Sequence, residues 1–388
     1  MVSRLTQSPS DRARDLAPLI LANADKIEET QDFPASVVDQ IAKYGLFRLF
    51  LPKSLGGEEA HPNDYLSALI EIAKADGSVA WNMFVANSAC LIAPHIPFET
   101  ARMIWSDPKA VVAWGPPDAQ EIQAVEGGYR VSGHWTFASG SRQATWMGAH
   151  GHVRETNGSI RVNSKGRPLT QTVLFRRDQA TVLDDWNPLG MRGTCSSSYR
   201  VDDVFVPENQ SGTRETPECR RDNGPLFAFP MQGLYAVGVL GCALGLAQAM
   251  LQDFCNLAVT KTPRGRSRLA EDQLTQSKFA HHQANIGAAQ AYAEKTLSDL
   301  YKRAPDKGAI GLQERALVRL VCSHGIQASV KTADWVHRAA GVSAIFKGSP
   351  FERRFRDIHT LSQQIQSRSA HFEAVGEILL GGKPATFF

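Results

Sequence analysis

Cysteine, excess charge and uninterrupted apolar runs are all scarce in this sequence, and each shortage removes a class of function. The six cysteines, at positions 90, 195, 219, 242, 255 and 322, form no CxxC pair and have no neighbouring histidine pair. Reduced thiols are expected, with no disulfide framework and no zinc or other metal site. Lys+Arg 42 against Asp+Glu 39 leaves a net charge of +3, and the densest basic spots are only Arg264/Arg266/Arg268 and Arg353/Arg354/Arg356. No nucleic-acid surface is implied. The longest apolar stretch, Leu234 to Met250, is broken by Gly238, Gly241 and Gly245 and carries Gln248, so a buried helix is expected and no membrane span. Met1 to Arg14 lacks the apolar core of a secretory signal, which leaves a cytoplasmic location as the expectation.

What is present is a globular composition, 43% hydrophobic and 21% charged over 388 residues, enough for two or three domains. From Asp11 to about Ala93 apolar residues recur at three- and four-residue spacing, and Asn63 or Asp64 reads as a helix cap. Between Val111 and Val206 the pattern changes to short β-rich runs: 111–114, 129–132, 145–150, 171–175 and 199–206. Glu126-Gly127-Gly128 supplies a hairpin turn. Pro207 to Pro225 reads as a linker, and helical spacing returns in four segments, 233–258, 274–302, 312–340 and 351–380. The expectation is an α+β chain: a helical domain over 1–110, an antiparallel β domain over 111–222 and a four-helix bundle over 223–388.

The run from Tyr129 to Gly140 ends in Trp135-Thr136-Phe137-Ala138-Ser139-Gly140, where aromatic faces, backbone amides and a hydroxyl suit a flat heterocycle. A hairpin whose Trp and Phe fill a core is the other reading. This run resembles the acyl-CoA dehydrogenase superfamily, as do Trp114-Gly115-Pro116-Pro117, Leu189-Gly190-Met191-Arg192-Gly193-Thr194-Cys195-Ser196 and Arg356-Asp357-Ile358-His359, in that family's order. The resemblance covers nearly the whole chain and implies the acyl-CoA dehydrogenase-like fold, a bound flavin and a homotetramer. It assigns flavin contacts to Trp114, Gly115, Trp135, Phe137, Ala138, Ser139 and Gly140, to Gln273 at the start of a bundle helix, and to Arg264, whose guanidinium fork suits phosphate oxygens.

Dehydrogenases of this superfamily need a glutamate to remove a carbon-bound proton. The two positions it usually occupies hold Ile365 and Tyr235 here, neither of which serves as such a base near neutral pH. The Trp-Thr-Phe-Ala-Ser-Gly form is instead similar to the two-component (group D) flavin-dependent monooxygenases. These take reduced flavin, FAD or FMN, from a separate NAD(P)H-dependent reductase and use O2 to hydroxylate a small aromatic, phenol- or indole-like compound through a flavin C4a-hydroperoxide. Ala340-Gly341 replaces the Gly-Gly pair that dehydrogenases commonly carry near the adenosine portion, which leaves FAD and FMN both open. In that reading Ser139 lies near the reactive edge of the flavin. The position where many members keep a catalytic histidine is Gln364, so proton transfer passes to His359 or is replaced by hydrogen bonding from Gln364. On a continuous helix His359, Ser362, Gln363 and Gln366 would share one face. Trp81, Phe84, Asn87 and Ser88 recur at helical spacing, which by itself reads as an ordinary amphipathic core helix. In the resembling monooxygenases the corresponding helix borders the substrate pocket, which makes Trp81, Phe84 and Asn87 substrate-binding candidates. A dehydrogenase with a relocated base and a non-catalytic flavin- or acyl-binding scaffold are the competing readings.

Overall fold

The computed structural model describes residues 7–116, 120–164, 166–216, 220–306 and 308–384. Met1 to Thr6, Pro117 and Cys219 lie outside the described residues. The amino-terminal third is helical: α1 (Pro9–Thr30), α2 (Ala35–Lys43), α3 (Pro62–Ala75), α4 (Gly77–Cys90) and α5 (Phe98–Trp105). Side chains close the first turns of α1, α3 and α4. Asp76 accepts from the Val79 amide at the start of α4. At α3 the cap is His61, whose Nδ1 accepts from Asn63 N at 3.0 Å, in place of the expected Asn63 or Asp64. Pro62 occupies the first helical position, where its missing N–H costs nothing, and this moves the cap one residue earlier.

An eight-stranded sheet follows: β1 (Val112–Trp114), β2 (Glu121–Val125), β3 (Gly128–Trp135), β4 (Trp146–Arg154), β5 (Thr170–Arg176), β6 (Thr181–Val182), β7 (Tyr199–Pro207) and β8 (Ser211–Gly212). Its order is β6-β7-β3-β2-β4-β5-β8. The Glu126-Gly127 turn joins β2 to β3 as expected, with Gly127 at φ 75°. The sheet is not wholly antiparallel, because β1 and β2 follow one another along β4 and both run parallel to it. Alternation of side chains reports only which face is buried, so it carries no information on strand direction. The segment read as a linker is packed structure: β8 pairs with β5, and Arg220 is buried and donates to the Phe227 carbonyl.

The carboxy-terminal helices are α6 (Met231–Ala258), α7 (Gln273–Arg303), α8 (Leu312–Ala340), α9 (Pro350–Leu361) and α10 (Ala370–Leu379). The fourth bundle segment is thus two helices. Between them the Gln364 side chain accepts from Gln366 N at 2.7 Å and Ser362 Oγ donates to the His359 carbonyl. These side chains compete with the helical ladder without help from glycine or proline. Helix α6 is apolar and long enough to cross a membrane, yet 89% of its most apolar window is buried inside the fold. It joins α1, α3, α4, α8 and α9 in one continuous hydrophobic core, whereas the sheet keeps its own, built on Trp135, Tyr199, Val131 and Phe175.

Candidate functional site

Strand β3 ends at Trp135, and the two aromatic residues that follow one another there separate. Trp135 is fully buried, stacked on Tyr199 with ring centroids 5.3 Å apart, and its Nε1 donates to the His150 carbonyl. Its side chain belongs to the sheet core, which corrects the expectation of a flavin contact. Phe137 adopts a left-handed backbone (φ 55°) and turns outward, 60% exposed, edge-on to Trp186. Met191 (φ 55°) and Cys195 (φ 40°) share that unusual conformation on the adjoining loop. Non-glycine residues held there mark sites where surrounding structure maintains local strain. Ala138 is buried, while Gly115 permits close approach of the chain: a Cβ there would stand 2.3 Å from the Thr136 carbonyl oxygen.

Beside Phe137, Ser139 is buried in a line of hydrogen bonds. Trp81 Nε1 donates to Ser139 Oγ at 3.1 Å, Ser139 and Ser196 hydroxyls lie 2.6 Å apart, Ser196 and Thr194 2.7 Å apart, and Thr194 Oγ1 donates to the Met191 carbonyl at 2.8 Å. Counting protons fixes the direction. Thr194 gives its only hydroxyl proton to a carbonyl, so Ser196 donates to Thr194 and Ser139 donates to Ser196. Ser139 therefore has no proton left to offer and retains one lone pair, which makes it an acceptor toward any ligand on this wall.

The strained loop that ends this line is anchored by the Arg356-Asp357 pair. Asp357 accepts from Met191 N at 2.5 Å, Thr360 Oγ1 accepts from Gly190 N at 2.9 Å, and Arg356 donates to the Leu189 carbonyl while pairing with Glu28 at 2.7 Å and Glu352 at 2.5 Å. The two motifs read separately in the sequence are one interlock. Burial, reinforced by the nearby Asp76 carboxylate, pushes the Asp357 carboxyl up to about 7. A carboxyl raised on folding contributes stability at low pH that is lost as pH climbs from its unfolded value toward 7. Asp357→Asn keeps the acceptor oxygen without the charge. Its stability relative to the parent should therefore improve between about pH 4 and 7 by up to about 1.4 kcal/mol per pH unit, and level off above, read by urea denaturation at each pH. Parallel stability curves for the two proteins would remove this account of the pair.

From Trp81 an aromatic line leads into the bundle: Trp81 to Phe84 and Phe84 to Tyr235 are both edge contacts at 4.7 Å. Burial pushes the Tyr235 phenol well up, so it is neutral at ordinary pH. One turn earlier on α6, Gln232 accepts from Gln366 Nε2 at 2.8 Å, and the buried Gln366 Oε1 has no partner. Asn87 departs from expectation. It is fully buried and turned away from this line, accepting from Leu49 N and Phe50 N and donating to the Leu46 and Met83 carbonyls. Three of its four bonds hold the 46–50 segment and the fourth returns to its own helix, so it lines no pocket.

The remaining candidates are dispersed. His359 Nε2 meets Asp334 Oδ1 at 2.9 Å across the α8–α9 contact and packs on Phe355, with no bond to the Ser139 line. Because α9 ends at Leu361, the shared helical face drawn through Ser362, Gln363 and Gln366 does not exist. Gln364 spends its amide oxygen on the turn described above. Arg264 and Gln273 are exposed at the end of the bundle, Gln273 opening α7 after Asp272 caps it. A separate cleft of about 720 Å³, lined in part by His95, Tyr129, Arg161 and Gln171, shares no lining residue with the Ser139 wall. Arg214, Ser196 and Gln232 were not singled out in the sequence, and Gln366 was named only through a helical face that does not form; Ser196, inside the Leu189–Ser196 run, carried a signal.

Comparison with known proteins bears on this arrangement. Residues 9–97 match the family model for the acyl-CoA dehydrogenase N-terminal domain, and residues 238–368 that for the acyl-CoA dehydrogenase C-terminal domain. Indole-3-acetate monooxygenase of Acinetobacter baumannii is 26% identical over 99% of this chain and 98% of its own. The oxygenase component of the FADH(2)-dependent resorcinol hydroxylase of Rhizobium sp. is 25% identical over 95% and 92%. Among solved structures, XiaF from Streptomyces sp., in complex with FADH2 and glycerol, superposes with a TM-score of 0.88 at 22% identity, covering 98% of this chain and 96% of that one.

Proposed function

The chain belongs to the acyl-CoA dehydrogenase superfamily, and from that premise we propose that it is the oxygenase component of a two-component flavin-dependent monooxygenase that hydroxylates a small aromatic compound. The observation that carries this is a wall of aromatic faces and hydroxyls without an available carboxylate. Tyr235 is neutral and packed on Phe84, and Ile365 is half exposed. The two buried carboxylates among the described residues, Asp76 and Asp357, are both held by backbone amides. A dehydrogenase lacks its base here. The resorcinol relative is by name FADH(2)-dependent and an oxygenase component, and the indole-3-acetate relative is a monooxygenase; both support reduced flavin, O2 and a partner reductase as the working set.

The residues fit a flavin. Phe137 offers an exposed ring, Gly115 and Gly140 keep the backbone low, and Ser139 presents an acceptor. Trp114 is buried against His150 and Arg214, which corrects the expectation of a direct flavin contact. A reduced flavin bears an N–H on its central ring that the oxidised form lacks, so an acceptor-only Ser139 favours the reduced form. When bound, reduced flavin supplies the electrons that activate O2, one oxygen atom entering the aromatic ring and the other leaving as water. The protein's part is to bind the ring, orient the substrate along the Trp81–Phe84–Tyr235 line and exclude water. Proton transfer is assigned to substrate or solvent, since His359 is paired with Asp334 and Gln364 caps a turn. Arg264 and Gln273 suit the phosphate end if a second subunit brings them there, which makes the homotetramer part of this proposal, as is a cytoplasmic location.

Ser139→Ala tests the wall. It removes the acceptor and leaves Trp81 Nε1–H unpaired, at about 1–3 kcal/mol for such a group, while Ser196 loses the bond it accepts but keeps the one it donates to Thr194. Reduced-flavin affinity should fall roughly tenfold or more, the equivalent of about 1.4 kcal/mol, and more of the O2 consumed should emerge as hydrogen peroxide. Peroxide yield and reduced-flavin affinity equal to those of the parent would place Ser139 away from the flavin.

A further inference from the structure

The arginines of α9 carry carboxylate partners: Arg353 with Asp25, Arg354 with Asp253, Arg356 with Glu28 and Glu352. Arg214 does not. It follows β8, is half-buried, and makes no ion pair among the described residues. Its guanidinium carbon lies 5.0 Å from the centre of the Trp114 ring, and its one hydrogen bond goes to the Met231 sulfur, a weak acceptor. The other titratable groups around it come from three elements: His95 from the turn before α5, His150 from β4 and Tyr235 from α6. Burial and the Arg214 charge together hold His95 down to about 4 and His150 well below its usual range, and Tyr235 is neutral. The charges that reach this cluster among the described residues are all cationic, since Arg220 and Arg221 also act on His95, and no carboxylate pairs with Arg214. Burial lowers its own pKa to about 10, which leaves it cationic.

A desolvated cation with no counter-ion is costly, and an anion delivered by a ligand removes the cost. The location says which ligand. Arg214 lies over the Trp114 ring and within charge-interaction range of Tyr235, at the inner end of the aromatic line that begins beside Ser139. We propose that Arg214 anchors the carboxylate of an aromatic acid whose ring lies along that line, so that the substrate class is aryl carboxylic acids and not neutral phenols or indoles. One guanidinium matches one carboxylate in charge, and its planar fork matches the two oxygens. A flavin phosphate would present a similar anion with a larger charge. This inference rests on the aromatic-substrate reading above, but its test needs no turnover.

The test is equilibrium binding, followed by tryptophan fluorescence, of 4-hydroxyphenylacetate, indole-3-acetate, benzoate and indole-3-carboxylate, each beside its primary amide. At least one acid should bind the parent tenfold or more tightly than its amide. Arg214→Gln should weaken that acid at least thirtyfold and its amide less than threefold, and Arg214→Lys should recover part of the loss. Equal affinity for every acid and its amide in the parent overturns the proposal, as does failure of all four acids to bind at millimolar concentration. So does an equal loss of acid and amide in both variants, which would make Arg214 a packing residue. Reduced FMN and reduced riboflavin form the second arm: loss of FMN affinity in Arg214→Gln, with riboflavin and acid binding unchanged, would assign the cation to the flavin phosphate instead. Arg214-dependent acid binding without hydroxylation would refute the monooxygenase reading while leaving this one standing; hydroxylation of neutral phenols that ignores Arg214 would do the reverse.

Discussion

Gly190→Ala should unfold the protein at substantially lower denaturant and abolish reduced-flavin binding. A Cβ at this position would lie 2.3 Å from both the carbonyl carbon and oxygen of Arg356 and 2.6 Å from the Asp357 nitrogen. All three are backbone atoms, so no rotamer change relieves the overlap. The strained loop must lift from α9, and with it go the bonds from Gly190 N to Thr360 and from Met191 N to Asp357. Overpacking of this kind costs about 3 kcal/mol, and the exposed ends of the lost bonds add to it. Since the Thr194–Ser196–Ser139 line ends on the Met191 carbonyl, the damage reaches the flavin wall. Urea midpoints and a flavin titration measure both consequences. A variant with the parent's midpoint would show that this loop and α9 do not meet as described.

Asn87→Ala should be nearly as damaging, and in a different way. The substitution strands the amides of Leu49 and Phe50 and the carbonyl of Leu46 in a buried setting, while the Met83 carbonyl keeps its bond within α4. With about 1–3 kcal/mol for each buried group left unpaired, and some relaxation, a loss of about 3–5 kcal/mol is expected. Because Asn87 faces the 46–50 segment, the fraction that folds should keep the parent's KM. A stable variant with a raised KM would return Asn87 to the substrate pocket.

These two residues also mark where sequence reading succeeds and where it stops. The Leu189–Ser196 and Arg356–His359 runs were legible as motifs, and the structure supplies their reason: Asp357 and Thr360 receive the amides of Met191 and Gly190. The order of helices, sheet and helices was legible because periods of 3.6 and 2 survive in the apolar residues. The resemblance placed Asn87 beside Trp81 and Phe84 at the pocket, whereas spacing alone favoured a core helix, and its side chain turns to the 46–50 segment. Trp135 and Phe137 illustrate the same limit at close range, since a left-handed backbone at Phe137 sends one ring into solvent and leaves the other in the sheet core. The break after Leu361 had no glycine or proline to announce it, because glutamine and serine side chains end the helix. Arg214 lay in a breaker-rich stretch, and nothing in its local sequence says that it folds back over Trp114.

The account stands or falls on whether this wall activates oxygen. The direct measurement is a single turnover of the protein with reduced flavin and ¹⁸O-labelled O2 in the presence of an aromatic acid, with the product analysed by mass spectrometry. One labelled oxygen atom in the ring of the product is the predicted result, together with no oxidation of acyl-CoA thioesters across a range of chain lengths. An unlabelled aromatic compound and turnover of an acyl-CoA would contradict it, and would mean that a base other than Tyr235 or Ile365 completes a dehydrogenase.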